Sequence, residues 1–124
     1  DNASDFYLDQ TVALGTDGIG ANMIEAFRLA YVMHRSDDVT VGPDIAWSWL
    51  ETGWDLVPEA RSDVVTWSYD PMDPWHLAFT AGVHPVRVEI DGEIVFEDGT
   101  PTRVDADEIR SKAREQATRL HARL

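Results

Sequence analysis

The chain has 124 residues, 44% hydrophobic and 27% charged, which suits one domain with a core and is too little for two ordinary ones. Acidic residues outnumber basic ones 23 to 10, for a net charge of -13, and so negative a surface repels phosphate backbones and excludes nucleic acid as a partner. No apolar run approaches the roughly 18 residues of a membrane span and no basic stretch precedes an apolar one, so neither a membrane helix nor a secretory signal is read.

Residues 1–10 are polar and turn-rich and read as a loop or a helix end. The chain opens on Asp1 without an initiator methionine and close to a strand, so the expectation is a piece of a longer protein. Thr11–Val12–Ala13–Leu14 is a short apolar run without alternation, the pattern of a strand buried on both faces of a parallel sheet. Gly15–Thr16–Asp17–Gly18–Ile19–Gly20 is a glycine-rich turn. Residues 21–35 then read as an amphipathic helix, with Met23, Ile24, Phe27, Ala30, Tyr31 and His34 at three- and four-residue spacing. Strand, turn and helix together make half of a βαβ unit.

Pro43 can open a second helix reaching about Trp54. It carries three of the five tryptophans, Trp47, Trp49 and Trp54, and reads as a packing helix rather than a ligand box. Val64–Trp67 is strand-like and Tyr69–Pro74 turn-rich. Two alternating runs around Asp91–Gly92, spanning residues 86–97, predict a β-hairpin, which a second Asp98–Gly99 closes. Residues 105–124 read as a helix with Asp105 as cap, Glu108 completing a capping box, and Ile109, Ala113, Ala117, Leu120 and Leu124 on one face.

The absence of cysteine excludes disulfides, thiolate metal sites and a cysteine nucleophile, and a cytoplasmic location is the default expectation. Nine arginines stand beside the single Lys112, and fifteen of the acids are aspartates. That balance suits a halophilic protein, since high salt screens carboxylate repulsion. An acidic mesophile with a GC-rich genome is the alternative.

Among chemistry-bearing residues, Asp17 stands first. A carboxylate in a loop at the carboxyl end of a parallel strand sits where α/β barrels build active sites, and it can ligate a divalent metal or take a proton from a metal-bound water. The alternative is that Asp17 caps the following helix; both readings stay open. Gly15, Gly18 and Gly20 also suggest a phosphate loop, but the spacing is G-x-x-G-x-G and no acid follows a second strand. His34, His76, His84 and His121 show no zinc-binding spacing. His34 suits a helix C-terminus, His121 a solvated helix face, and His76 and His84 ordinary polar contacts.

The run Val12-Ala-Leu-Gly-Thr-Asp-Gly-Ile-Gly-Ala-Asn-Met, with a helix ending Met33–His34–Arg35, resembles the last barrel strand and helix of the amidohydrolase superfamily, in the branch of guanine deaminase and the chlorohydrolases. Residues 60–71 resemble that family's return to its small β domain, and residues 86–99 its closing hairpin. The stretch between Arg35 and Ala60 is shorter than the family's, and Glu59 and Ser62 replace its usual glycine and alanine.

The resemblance implies an α/β chain: a C-terminal fragment of a metal-dependent (β/α)8 barrel with part of a small β-sandwich. Residues 1–60 would be the last βα unit and following helix, 61–104 part of the β domain, and 105–124 the terminal helix. It implies hydrolysis of non-peptide C–N bonds in a small-molecule substrate, of deaminase, aminohydrolase or chlorohydrolase type. Asp17 would be both metal ligand and proton acceptor for a Zn²⁺ or Fe²⁺ whose other ligands lie upstream. The chain alone would be inactive, and would form a homo-oligomer or associate with the missing barrel portion. A non-catalytic subunit completing a barrel with a partner chain is the alternative.

Overall fold

The computed structural model describes residues 11–17 and 22–123. The readings made for residues 1–10, Gly18, Gly20, Ala21 and Leu124 lie outside them. The described residues form four α-helices and a four-stranded sheet of order β1-β2-β3-β4, a mixed α/β chain. They fall into two compact units: the described residues up to Ser62 with Trp67–His84, and Asp63–Thr66 with the described residues from Pro85 on.

The first unit is built on α1 (Met23–Asp37), α2 (Pro43–Leu56) and α3 (Pro74–Phe79). Asn22 caps α1, its Oδ1 accepting from the Ile24 and Glu25 amides at 3.0 and 3.2 Å. Pro43 starts α2, its fixed φ matching the first helical position. Ile24, Phe27 and Tyr31 of α1 are buried in one core with Ala46 and Trp49 of α2, and with Leu77 and Val83. The Phe27 ring meets Trp47 edge-on at 5.7 Å, so the tryptophan-rich helix packs as expected, although Trp54 remains largely exposed.

The sequence reading gives no element to residues 75–79, so α3, which starts at the end of the Tyr69–Pro74 turn, is an addition. Its signal is Asp73–Pro74: the Asp73 carboxylate accepts from the His76 amide at 2.7 Å and the proline takes the first turn. Arg28 ties the end of α3 to α1, its Nε donating to the Ala78 carbonyl at 3.2 Å and its Nη2 to that of Thr80. Such a cation complements the partial negative charge of a helix C-terminus. A 3₁₀ turn at Pro58–Ser62 was likewise unforeseen.

One expectation is overturned. Residues 11–14 form no strand, and they are not buried on both faces: Val12 and Leu14 are half-buried against the core while Thr11 and Ala13 are exposed. A strand needs a neighbour to receive its backbone groups, and a parallel one needs neighbours on both edges to be buried. None of the four strands, which begin at Val64, takes that place.

In the second unit, β2 (Pro85–Ile90) and β3 (Glu93–Glu97) pair antiparallel with Ile90 opposite Glu93, which leaves Asp91 and Gly92 as a two-residue turn. Both have positive φ, 50° and 78°, as a type I′ turn requires. A bulge between Val88 and Glu89 shifts the register, so that Val88 faces Phe96 and Glu89 faces Ile94. Asp98–Gly99 repeats the positive-φ pair, but it leads into a further short strand, β4 (Thr100–Pro101), instead of ending the sheet. β1 is Val64–Trp67, as the sequence indicated.

The terminal helix α4 (Ala106–His121) is capped by Asp105, whose Oδ1 accepts from the Asp107 and Glu108 amides at 3.0 and 2.9 Å. The expected capping box is only half realised. The Glu108 carboxylate accepts instead from Lys112 Nζ at 2.5 Å, one helical turn on.

Arg103 grips Glu93 with two donors, Nε to Oε1 at 3.0 Å and Nη2 to Oε2. The hydrogen bond and the guanidinium charge hold the Glu93 carboxyl below its ordinary value. Because the folded value is the lower one, the pair contributes above the ordinary glutamate range and is lost as pH falls through the depressed value. Carboxyl-detected NMR titration should show the Glu93 midpoint rising in Arg103→Gln. An unmoved midpoint would disprove the grip.

Candidate functional site

Asp17 lies in a turn five residues before the Asn22 cap, is exposed, and has φ +51°. The left-handed region costs most residues energy, and aspartate tolerates it better than most. Among the described residues of the turn, Asp17 alone takes it. Asp17 is also not the helix cap, because Asn22 holds the first free N–H groups of α1. The capping alternative is thereby removed, and no ion pair or hydrogen bond ties the Asp17 carboxylate to another described residue.

Beside this turn is an open apolar groove of about 490 Å³. Leu14, Gly15 and Thr16 form one wall, and α1 forms the other through Ala26, Leu29, Ala30 and Met33. Asn22 and Glu25 stand at one end and His34 at the other. Leu29 and Met33 remain 62% and 60% exposed, so the groove is an unfilled apolar face of α1 with few polar groups. His34 is anchored rather than free, its ring meeting Trp49 edge-on at 4.8 Å.

The other histidines are held by local contacts. The Tyr69 hydroxyl lies 2.6 Å from His76 Nε2, with the rings edge-to-face. His84 Nδ1 lies 2.8 Å from the Gly82 carbonyl oxygen, and the His84 amide donates to Ser68 Oγ at 3.2 Å. Donating Nδ1–H to that carbonyl leaves Nδ1 unable to take a proton from Ser68, so Ser68 and His84 form no nucleophile–base pair. His121 is exposed on α4. The Tyr69–His76 pair escaped the sequence reading, and its only signal is the Asp73–Pro74 cap that turns His76 back toward Tyr69.

Among the described residues, no three of histidine, aspartate and glutamate gather closely enough to hold a metal. A zinc site needs three or more protein ligands, so these residues do not by themselves fit the Zn²⁺ or Fe²⁺ that the resemblance implies. Gly15 gives no sign of a phosphate cradle either, since a Cβ there would touch nothing within 4 Å. Also among the described residues, no helix is long and apolar enough to cross a membrane. No protein-family model matches the chain, and no solved structure matches it.

Proposed function

We propose that the chain is the C-terminal portion of an amidohydrolase-type hydrolase that acts on C–N bonds, or on the related C–Cl bond, of a small molecule. The observation that carries this reading is Asp17: an exposed carboxylate in a turn leading into α1, relieved of capping by Asn22. The order of elements supports it, with the hairpin and the aspartate-capped terminal helix following in the sequence. In this reading Asp17 accepts the proton of the attacking water as general base, and it is one carboxylate of a metal site whose other ligands lie outside the described residues. The bound ion would supply Lewis-acid activation of that water.

The apolar face of α1 favours a companion reading, in which the chain completes a barrel with a partner. Leu29 and Met33 stand exposed on it, and surfaces of that kind mark interaction sites. Both readings predict that the 124-residue chain is inactive by itself. Purified chain with added Zn²⁺ should show no turnover of aminopurines or chlorotriazines, whereas the chain extended by its upstream reading frame should carry an H-x-H after a strand and turn over one such substrate. Turnover by the 124 residues, lost in Asp17→Ala, would overturn the fragment reading. An upstream frame without the histidines would overturn the hydrolase itself.

A further inference from the structure

The two units carry their charge differently. Among the described residues, the helical unit holds ten carboxylate side chains against three arginines, a net charge of -7, whereas the sheet and α4 hold ten against seven, a net charge of -3. Two of the three arginines also spend donors on backbone. Arg28 pairs with Glu25 at 3.0 Å but gives two further donors to the Ala78 and Thr80 carbonyls. Arg35 gives Nη1 to the Val39 and Val41 carbonyls, and Arg61 pairs with Asp55 at 2.7 Å. In the second unit, Arg87, Arg103, Arg110, Lys112 and Arg119 all pair with carboxylates.

The helix ends repeat the contrast. α4 carries Asp107 and Glu108 in its first turn and Arg119 and His121 in its last, in line with the helix dipole. α2 has no basic residue and reaches its end with Asp55, and α1 closes on Asp37. A carboxylate there meets the negative pole of the dipole. Glu51 and Asp55 also stand four residues apart on α2, a like-charged spacing that opposes the helix.

We propose that the helical unit is an ionic-strength switch: mobile cations hold it folded by screening its surplus carboxylates, while the sheet and α4 fold without that help. Acidic composition alone would spread salt dependence over the whole chain. The placement of charge confines it to one unit and reverses its sign on α4, whose ion pairs one turn apart weaken as salt rises. The Debye length falls from about 30 Å at 0.01 M salt to about 3 Å at 1 M. Packed helices lie about 8–10 Å apart, so carboxylates on neighbouring helices repel at the first concentration and are screened at the second.

All five tryptophans lie in the helical unit, so tryptophan fluorescence follows that unit alone. Thermal melts of the intact chain from about 0.01 to 1 M KCl should show its midpoint rising by about 5 °C or more. Amide exchange within β3 and α4 over the same range should be unchanged or faster. A triple variant, Asp37→Asn with Glu59→Gln and Asp70→Asn, tests whether charge is the cause. These three side chains are exposed, and no ion pair or hydrogen bond ties their carboxylates to another described residue. The variant should melt higher at low salt and respond less steeply to KCl, whereas Asp98→Asn in the second unit should alter neither. Circular dichroism at high salt confirms that each variant folds.

A midpoint flat or falling with KCl would overturn the proposal. So would a triple variant whose rise is as steep as that of the unaltered chain, because exclusion of salt from the surface does not depend on those three charges. Exchange in β3 and α4 that slows along with the helical unit would spread the effect over the whole chain, and would overturn it too.

Discussion

Replacing Phe27 by alanine should cost the three-helix unit about 3–5 kcal/mol of stability. Its side chain is wholly buried, 0% exposed, and it joins the core shared by α1, α2 and the Leu77–Val83 segment. Truncation removes an apolar ring and leaves a cavity that helices tied by Arg28 and the Trp47 contact cannot fully close. Domains of this size carry about 5–15 kcal/mol in all, so the loss is a large share of the total. Urea denaturation followed by tryptophan fluorescence measures it directly, since Trp47 and Trp49 sit on or in the same core. A cost below about 1 kcal/mol would mean that α1 and α2 do not pack through this residue.

The second large effect concerns chemistry. If the proposed hydrolase reading holds, Asp17→Asn in the chain extended by its upstream reading frame should lower kcat by about 10²–10⁴-fold, the usual worth of a positioned general base. The amide keeps the size and the tolerance of left-handed backbone that aspartate shows at φ +51°, so the fold should survive. Asn22→Asp is the control: it keeps an oxygen acceptor for the first N–H groups of α1, and should leave both helix and turnover nearly intact. Steady-state kinetics on both variants decides. Equal losses would indicate a disturbed helix start, and an unchanged Asp17→Asn would remove the carboxylate from the mechanism.

The acidic surface raises no conflict with this arrangement. The ion pairs of α4 lie one helical turn apart on an exposed helix, as with Glu115 and Arg119 at 2.5 Å. Pairs of this kind contribute a few tenths of a kcal/mol each and fade with salt. Whatever high salt does for the chain, it would do by screening the excess carboxylates rather than by strengthening these pairs.

What the sequence determined by itself was local. The Asp91–Gly92 turn, the hairpin around it, the Asp105 cap and the Pro43 start all follow from short-range backbone preferences, which neighbouring residues settle without help from the rest of the fold. The periodicity of α1 likewise pointed to Ile24, Phe27 and Tyr31, the three that are buried. Only the tertiary structure decided the fate of residues 11–14, because an apolar run becomes a strand when partners take its backbone groups, and composition cannot supply them. It also decided that Asn22 and not Asp17 caps α1, because a cap is set by which oxygen reaches the free amides of the first turn. The bulge at Val88–Glu89 was beyond sequence for the same reason, since register is a property of two strands together.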